Sequence, residues 1–486
     1  MPNNLTVVVL AAGGGTRMKS KTMKVLHEVG GRSMIGHVLT AVRAVEPDRV
    51  VAVVGHQSDQ VAPHIREYVP DCVLAVQEEL DGTGGAVRVA MEAIGSVKGT
   101  VVVAYGDMPL LEGQSLRDFV AEHEAAERAV SVLTGVVEDP FGYGRIVRND
   151  EGDVEAIIEE KDATPAQREI HEINSGILAF DAEFLADALP RIGNDNAKGE
   201  YYLTDLVGLA REAGLTVGAH VIEDVRQTHG ANDRAQLAAL GRELNRRIVT
   251  RWMEDGVTIM DPATTWIDAD VVLAPDVTIL PGTQLLGATV VAEDAVIGPD
   301  TTLKDCEVGT GARVVRTHGE LAVVGDRAVV GPYTYLRPGA SLGVGAKAGA
   351  FVEVKNSTIG DGAKVPHLSY VGDADIGEGA NLGAGTVVAN YDGVAKHRTR
   401  VGRQARTGSN NTFVAPVEIG DGATTGAGTV VRRNVPPGAL AVSSGPQRNL
   451  EGWVLSRRQG TAQAEAAEQA LAAEEAKPKD AEGSGG

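Results

Sequence analysis

The chain has 486 residues, of which 43% are hydrophobic and 23% charged, and a formal net charge of −21. This composition is typical of a globular protein with two or more domains, and the acidic balance argues against nucleic-acid binding. No apolar run reaches about 18 residues, so we expect no membrane span, and no basic stretch precedes the first apolar run, so we expect no signal peptide. The two cysteines, Cys72 and Cys306, show no metal or disulfide spacing, which predicts a cytoplasmic protein.

A glycine-rich turn follows the first apolar run. Leu5–Leu10 predicts a buried strand, and Ala11-Ala12-Gly13-Gly14-Gly15-Thr16-Arg17-Met18 comes directly after it. Consecutive glycines let the backbone turn tightly with its N–H groups facing an anion. Arg17 and then Lys24 add charges suited to phosphate oxygens. A purely structural turn is the alternative, and the ending of a Walker A phosphate loop is missing.

The region up to about residue 228 alternates short strands with helices. Strands are predicted over 50–54 and 100–104 and a helix over 116–126, which indicates an α/β Rossmann-like domain with a mostly parallel sheet. A helical arm is predicted over 233–255, because apolar residues recur there every three or four positions. This stripe, which we expect to pack on the protein, consists of Leu237, Leu240, Leu244, Ile248 and Trp252.

From about residue 261 the hydrophobic period becomes six. Aliphatic residues mark the beat, often with glycine next to them, and this pattern predicts a parallel β-helix of about ten coils. The marked positions include Ile279, Leu285, Val291, Ile297, Leu303, Val324, Val330, Ile359, Val365, Val371, Val401, Phe413 and Ile419. Between Leu382 and Val401 the interval is nineteen residues, so we predict an extruded loop around Asn390. The resemblance to hexapeptide-repeat proteins implies a left-handed helix and a homotrimer.

Two oxygen-bearing residues are candidates for a magnesium site. Asp107, in Tyr105-Gly106-Asp107, follows a predicted strand, and a carboxylate at a strand end suits Mg²⁺. Its alternative role is that of a turn residue. Asn232 is the predicted second ligand, and its alternative role is the N-cap of the arm helix, which Asp233 could provide instead.

These motifs together resemble the bacterial bifunctional N-acetylglucosamine-1-phosphate uridylyltransferase/glucosamine-1-phosphate acetyltransferase family over nearly the whole chain. The resemblance implies a uridylyltransferase domain over 1–228, a linker helical arm over 229–260, an acetyltransferase β-helix over 261–455 and a disordered tail over 456–486. It implies acetyl-CoA-dependent N-acetylation of glucosamine 1-phosphate, followed by Mg²⁺-dependent uridylyl transfer from UTP that releases pyrophosphate. The product is UDP-N-acetylglucosamine.

The resemblance also implies the residues of the first site. Arg17 and Lys24 neutralise the phosphates, three residues read uracil (Gln77, Gly82 and Thr83), and three hold the acetylated sugar (Gly144, Glu159 and Asn174). The complete predicted nucleotide site is Leu10, Ala11, Ala12, Gly13, Lys24, Gln77, Gly82, Thr83, Tyr105, Gly106, Asp107, Gly144, Glu159, Asn174 and Asn232.

A second set of polar residues lies on the β-helix. A lone histidine there would most often be structural, but His367 stands among basic, aromatic and amide residues that a structural prism does not need. The resemblance assigns His367 as the general base for the attacking amine. It assigns sugar-phosphate binding to Arg337, Lys355, Tyr370, Asn381, Asn390, Tyr391 and Lys396, and acetyl-CoA contacts to Ala384, Asn390, Tyr391, Ser409 and Ala427.

Two positions depart from the family pattern. Met23 stands where proline is usual before Lys24, and Ser444 stands where some members carry an arginine for CoA. Two alternatives remain open: a pyrophosphorylase whose β-helix only oligomerises, and a regulatory subunit built on the same plan. Neither explains the polar residues around His367. We therefore predict small-molecule substrates, with no nucleic-acid or membrane partner.

Overall fold

The structure is a computed structural model that describes residues 4–55, 58–443, 445 and 447–475. Ser444 and residues 476–486 of the predicted tail lie outside the described residues.

The N-terminal domain is built on a nine-stranded sheet centred on Leu5–Leu10. This strand pairs in parallel with Arg49–Val54 and Thr100–Tyr105, so the carboxyl ends of all three meet at one edge. Glu172–Asp181 runs antiparallel to both neighbours, and the sheet is therefore mixed on that side. In spatial order the strands are Val217–Val221, Val130–Val136, Glu172–Asp181, Thr100–Tyr105, Leu5–Leu10, Arg49–Val54 and Val73–Val76, with Arg145–Arg148 and Val154–Ile158 attached at Glu172–Asp181.

Two apolar cores cover the two faces of this sheet. Val7 and Val9 point into one core and Val8 into the other, because side chains alternate along a strand. This burial on both faces explains the unbroken apolar run of the central strand. The α-helices of the domain are Met34–Arg43, Ser58–Tyr68, Thr83–Ile94, Gly113–Ala125, Pro165–Arg168, Ala182–Ala188 and Asp205–Glu212, and the 3₁₀ turns are Thr16–Met18, Lys24–Leu26, Leu189–Arg191 and Val225–Thr228.

The arm is the helix Arg234–Glu254, and its apolar stripe packs on both domains. Leu240 is buried against the N-terminal domain, whereas Ile248 belongs to the core of the β-helix. The side chain of Asp233 accepts a hydrogen bond from the Gln236 N–H and caps the helix. Asn232 is therefore not needed as the cap.

The C-terminal domain is a left-handed parallel β-helix whose strands form three faces. The first face consists of Thr258–Ile259, Thr278–Ile279, Val296–Ile297, Arg313–Val314, Val329–Val330, Lys347–Ala350 and Lys364–His367, and Thr424–Thr425 with Leu440–Ala441 forms a separate pair. The second face has ten strands, in agreement with the predicted number of coils: Trp266–Ile267, Gln284–Leu286, Thr302–Lys304, Thr317–Glu320, Thr334–Leu336, Glu353–Lys355, Tyr370–Gly372, Val387–Ala389, Thr412–Val414 and Val430–Val431. The third comprises Val272–Leu273, Val290–Val291, Glu307–Val308, Val323–Val324, Ser341–Leu342, Thr358–Ile359, Ala374–Ile376, Thr399–Val401 and Val417–Ile419.

The inward positions of the coils carry the predicted beat, and the marked aliphatic residues are all buried in one continuous core. Stacking each coil on the next satisfies the backbone hydrogen bonds, and the small corner residues let the chain turn.

The chain after the β-helix contains two helices, Trp453–Arg457 and Ala462–Glu475. The second differs from the disorder predicted for this segment. Its sequence is dominated by alanine and glutamate, which are strong helix formers, and Ala464 is buried. The composition of this segment offers little apolar surface for packing on the rest of the protein. A helix can still form there, because the helix propensity of alanine and glutamate does not depend on packing.

Candidate active sites

A cavity of about 380 Å³ opens at the carboxyl edge of the N-terminal sheet. The glycine-rich turn forms part of its wall, as expected for an open α/β sheet. Most of the predicted nucleotide site lines it, namely Leu10, Ala11, Ala12, Gly13, Lys24, Gln77, Gly82, Thr83, Tyr105, Asp107, Glu159 and Asn174. The structure therefore brings together residues up to 164 positions apart in the chain, from Leu10 to Asn174.

The Lys24 ammonium lies between the two predicted metal ligands. Its Nζ is 2.6 Å from Asp107 Oδ2 and donates to Asn232 Oδ1 at 2.8 Å. Two oxygens of the type that Mg²⁺ prefers thus converge on one point that already holds a cation. The donor set fits a divalent ion that shares the site with phosphate oxygens. No cluster of three or more His, Cys, Asp or Glu suited to a metal occurs in the described part of the chain.

Gly15 explains how Lys24 reaches this position. Its φ is +58°, and a Cβ on it would lie 2.5 Å from the Lys24 Cβ, so a side chain here would collide with the lysine. Gly13 and Gly14, in contrast, face open space. The loop therefore combines one glycine required by packing with two that leave room for a ligand.

Of the residues predicted to hold the sugar, Glu159 and Asn174 line the cavity beside Tyr105, and Gly144 adjoins Glu159. A Cβ on Gly144 would lie 3.3 Å from Glu159 Oε1, so the backbone closely approaches the carboxylate. Burial raises the pKa of Glu159, an effect opposed by the nearby Lys198 charge. Burial also raises the pKa of Tyr105, which keeps its phenol protonated.

Hydrogen bonds hold the side chain of Gln77, which is predicted to read uracil. Gln77 is buried, and its Nε2 donates to Asp81 Oδ1 at 2.9 Å and to the Gly82 carbonyl at 3.2 Å. Gly82 has φ +113°, and a Cβ on it would lie 2.6 Å from the Tyr201 carbonyl oxygen. The Thr83 hydroxyl accepts the Leu203 N–H at 3.1 Å. These contacts tie the predicted base-reading segment to the segment around Tyr201.

Several lining residues were not identified from the sequence. They are Lys198, Glu200, Tyr202, Leu203 and Thr204, which come from a loop before Asp205–Glu212. The Tyr202 hydroxyl is buried and has no hydrogen-bond partner among the residues that the structure describes, and burial raises its pKa to about 12. Lys198 Nζ lies 5.7 Å from the Tyr202 ring centroid. In the sequence, these lining residues stand out only through the run Glu200-Tyr201-Tyr202-Leu203-Thr204. The spacing within this run is not typical of any particular kind of site.

Four predicted residues lie outside the cavity wall, and one of them is Gly144, which adjoins Glu159. Arg17 is exposed on the short turn Thr16–Met18 and does not line the cavity. Gly106 contributes its N–H to the Leu10 carbonyl at 2.9 Å and so joins two strand ends. Asn232 reaches the cavity only through Lys24.

Met23 adopts the backbone geometry that a proline would impose. It is buried, with φ −57° and ψ 143°, at the start of the Lys24–Leu26 turn. The backbone at Met23 thus has the φ that a proline would fix, and its side chain is buried.

On the β-helix, His367 occupies one corner between the first and second faces. Backbone hydrogen bonds link the residue after each corner to the corner below, as from Leu368 to Ala350, Gly385 to His367, Asn410 to Ala384 and Gly428 to Ser409. The equivalent position in four successive coils is therefore held by His367, Ala384, Ser409 and Ala427. We call this row the histidine corner. The predicted base and the three predicted small acetyl-CoA residues form one continuous row.

The predicted phosphate-binding cations occupy the next corner, between the second and third faces. Arg337 and Lys355 follow paired strands in adjacent coils, and Arg337 also pairs with Glu353 at 3.0 Å. Asn390 lies above them, buried, where the extruded loop begins. We call this group the lysine corner. The charges thus line up along the prism at the coil spacing of about 4.8 Å.

The extruded loop is confirmed. It leaves the prism after Asn390 and returns at His397, whose N–H donates to the Asn390 carbonyl at 2.8 Å. Tyr391 and Lys396 face each other across its base as a β-bridge, and Val394 at its tip is 93% exposed.

The two corners stand at opposite ends of one face. Tyr370 lies between them on the second face, and Asn381 lies on the first face. Gly372, which pairs with Lys355, is five positions after His367, so the corners are on the order of 15 Å apart. A single chain therefore does not bring His367 into contact with the predicted phosphate-binding cations.

The chain is similar to known proteins over both domains. A family model described as a MobA-like NTP transferase domain matches residues 7–169. The chain is 57% identical to the "Bifunctional protein GlmU" of Pseudarthrobacter chlorophenolicus over 468 residues, which cover 96% of this chain and 95% of that protein. The protein of the same name from Streptomyces avermitilis is 56% identical over 464 residues, covering 95% of this chain and 96% of that protein. The chain belongs to the bifunctional GlmU family.

Membership in the GlmU family confirms the resemblance and the fold class predicted from the sequence. It also confirms that the chain is a bifunctional enzyme with nucleotidyltransferase and acetyltransferase activities. Among the described residues, no helix has the length and hydropathy that crossing a bilayer requires.

Trp453 is the first residue of a short exposed helix, and the Arg458 guanidinium lies over its ring at 5.5 Å from the centroid.

Proposed function

We propose that the chain makes UDP-N-acetylglucosamine in two steps on two domains. The β-helix acetylates glucosamine 1-phosphate with acetyl-CoA, and the N-terminal domain transfers uridylyl from UTP to the acetylated sugar phosphate. The observation that carries the proposal is the convergence of Asp107 and Asn232 oxygens on the Lys24 ammonium beside the glycine-rich turn. This cluster can handle two anionic substrates in one cavity. Because its sugar pocket is the one matched to an acetylated product, acetylation comes first.

Uridylyl transfer needs positioning more than covalent chemistry. The sugar phosphate oxygen attacks the α-phosphorus of UTP in line, the bond to the β-phosphate oxygen breaks, and pyrophosphate leaves. Asp107 and Asn232 would hold Mg²⁺, which supplies charge neutralisation when bound. The Lys24 ammonium pairs with Asp107 and lies close enough to pair with a phosphate oxygen instead. Gln77 and Glu159 fix the two ends of the substrate pair.

Acetyl transfer requires a base and a bound sugar phosphate. His367 would accept a proton from the attacking 2-amine as its nitrogen bonds to the thioester carbonyl carbon; the C–S bond then breaks and the imidazolium gives the proton to sulfur, so CoA leaves as its thiol. The small side chains of Ala384, Ser409 and Ala427 leave a shallow row along which an extended thioester could lie. Arg337, Lys355 and Lys396 would receive the phosphate.

We further propose a homotrimer in which each acetyltransferase site uses the histidine corner of one copy and the lysine corner of another. The separation of the corners supports this arrangement. Exposed apolar side chains also follow the histidine corner: Tyr333 and Phe351 stack at 5.1 Å, and Leu368 continues the row. Such a row beside a catalytic group is typical of a surface covered in the assembly.

The two cysteines support our proposal that the protein is cytoplasmic. Cys72 and Cys306 are both free and buried, and they lie in different domains. Free thiols without a disulfide framework suit a reducing cytoplasm.

One incubation tests the two reactions. The protein is mixed with glucosamine 1-phosphate, acetyl-CoA, UTP and Mg²⁺, and UDP-N-acetylglucosamine is sought by mass. Omitting each reagent in turn separates the half-reactions. Uridylylation of N-acetylglucosamine 1-phosphate without any acetyl transfer would favour the single-activity pyrophosphorylase instead.

A mixing experiment tests the shared site. His367→Ala and Lys355→Ala chains are co-expressed in equal amounts, each being inactive in acetyl transfer by itself. If the two chains mix randomly, about three quarters of the trimers contain both kinds of chain. One of the three sites is intact in each of these, so we expect about a quarter of the wild-type rate. No recovery in verified mixed trimers would place the whole site within one copy.

A further inference from the structure

A carboxylate that the sequence analysis did not single out lies at the centre of the lysine corner. The side chain of Asp373 is 9% exposed. Both its oxygens accept from Lys355 Nζ at 3.0 Å, and Oδ1 also accepts from Asn356 Nδ2 at 2.7 Å. Oδ2 accepts from Asn390 Nδ2. Asp373 thus connects the coil that carries Lys355 to the residue where the extruded loop begins.

Hydrogen bonds and the Lys355 charge keep this carboxylate ionised although it is buried. Burial by itself raises the pKa of Asp373, but the hydrogen bonds from Asn356, Lys355 and Asn390 lower it below its ordinary value. An ionised carboxylate can only accept hydrogen bonds, and here all of its neighbours donate. Replacing it by a group with N–H atoms would place donor against donor.

The same contact fixes the orientation of the Asn390 carboxamide. Because Asp373 accepts only, the NH₂ end of Asn390 must face it, and the amide oxygen points the other way. Within the described residues, no donor is bonded to that oxygen. An amide oxygen held in this way suits a substrate N–H or O–H. Lys355 is likewise held with an ammonium hydrogen left over for a phosphate.

The backbone explains why an acid can stand at this corner. Asp373 has φ +49°, in the left-handed region that aspartate and asparagine tolerate better than most side chains. Asn356 occupies the equivalent corner one coil below, with φ +45°. The neighbouring acid Asp375 instead points outward and pairs with Arg398, half-exposed, so burial distinguishes the two acids.

We propose that Asp373 is a positioning residue of the acetyltransferase site, which orients the Lys355 ammonium and the Asn390 carboxamide toward an amino-sugar phosphate. Asp373 does not touch the substrate. It acts by holding a cation and an amide from successive coils in one geometry, and by fixing the start of the loop that carries Tyr391 and Lys396. This inference rests on the proposed acetyl transfer.

The test is Asp373→Asn in the full-length protein. Asparagine keeps the volume and the left-handed backbone, so the fold is retained, but its NH₂ opposes one of the three donors. We expect kcat/KM for glucosamine 1-phosphate to fall at least tenfold, mainly through KM. The rate of uridylyl transfer should change less than twofold. Asp375→Asn is the matched control, and its kinetics should stay within twofold of wild type.

A second background separates positioning from general stability. In an Asn390→Ala chain, Asp373→Asn should cost at least threefold less in kcat/KM than it does in the wild type, because part of its target is already gone. Equal losses in both backgrounds, or an equal loss of uridylyl transfer, would show a merely structural role and overturn the inference. Unchanged acetyl-transfer kinetics would overturn it as well. A wild-type protein without acetyl transfer would overturn the proposed function and this inference with it.

Discussion

The ammonium of Lys24 lies 2.6 Å from the carboxylate of Asp107, although the two residues come from different strand ends of the sheet. The same ammonium donates to Asn232, 208 positions further along the chain. The cluster is therefore a cation held between two oxygen ligands. A divalent ion that binds these oxygens competes with Lys24, and the displaced ammonium is then free to meet a phosphate.

Replacing Lys24 by methionine should strengthen binding of a divalent cation while it impairs turnover. Removing the competing ammonium leaves the Asp107 charge unpaired, so we expect Kd for Mn²⁺ without nucleotide to fall at least threefold. The uridylyl-transfer rate should fall at least a hundredfold, because the phosphates lose a charge partner. Calorimetry and pyrophosphate release measure the two effects. The exposed Lys21→Met is the control, and weaker Mn²⁺ binding by Lys24→Met would contradict this arrangement.

The two activities should be separable by single substitutions. Asp107→Ala removes a metal-holding oxygen and should abolish UTP-dependent pyrophosphate release while acetyl transfer survives. His367→Ala should do the reverse, because the base lies on the other domain. CoA release and pyrophosphate release, assayed on both variants, check this. Retained uridylylation in Asp107→Ala would remove this aspartate from the site.

Uridylyl transfer should lose efficiency on the acid side at a higher pH than an ordinary glutamate would give. Burial raises the pKa of Glu159, and the ionised form is the acceptor for a sugar hydroxyl, so kcat/KM falls as the pH drops through that raised pKa. Lys198→Met removes an opposing charge and should move this limb to higher pH. The pH profile of acetyl transfer serves as the internal control.

The raised pKa of Glu159 also determines how the stability of the protein changes with pH. Between the ordinary and the raised pKa of Glu159, the folded protein binds more protons than the unfolded chain, so stability falls as the pH rises through this window. Above it, the buried charge remains a cost. Glu159→Gln should therefore be at least as stable as wild type at neutral pH, as measured by urea unfolding. A clear loss of stability would show that Glu159 is held by favourable contacts instead.

Removing Arg145 should destabilise the sugar-binding region. The guanidinium is buried and pairs with Glu160 at 2.7 Å, and it also donates to the Tyr143 carbonyl. Arg145→Met removes the buried member of this pair and the donor to the Tyr143 carbonyl, while Glu160 keeps Arg168 at 3.6 Å, so we expect a clear loss in the free energy of unfolding. Arg191→Met, which breaks an exposed pair with Asp187, should cost less than about 0.5 kcal/mol. Equal effects would contradict the importance of burial.

Met23→Pro should stabilise the protein slightly. The φ of −57° is already that of proline, so the substitution restricts mainly the unfolded chain and should add about 0.4–1 kcal/mol. Loss of the buried methionine side chain acts against this gain. Thermal unfolding with and without UTP measures the outcome, and a drop in stability would show that side-chain packing outweighs the backbone effect.

Local patterns in the sequence were sufficient for the architecture. The six-residue beat from Ile279 onward predicted the prism, because each coil buries one aliphatic side chain per face. The break between Leu382 and Val401 predicted the loop. The period also places Arg337 and Lys355, which are eighteen residues apart, at one corner, whereas His367 is twelve residues from Lys355 and must lie at another.

The sequence by itself determined the two domains, the kind of fold in each and the residue types at the phosphate-binding turn, since these follow from short-range periodicity and local backbone geometry. Only the tertiary structure decided which charges meet. Lys24 joins Asp107 and Asn232 through the packing of separate strand ends and the arm helix, and Asp373 joins Lys355 to Asn390 because one coil stacks on another. Such contacts depend on the register between distant segments, which no local pattern encodes.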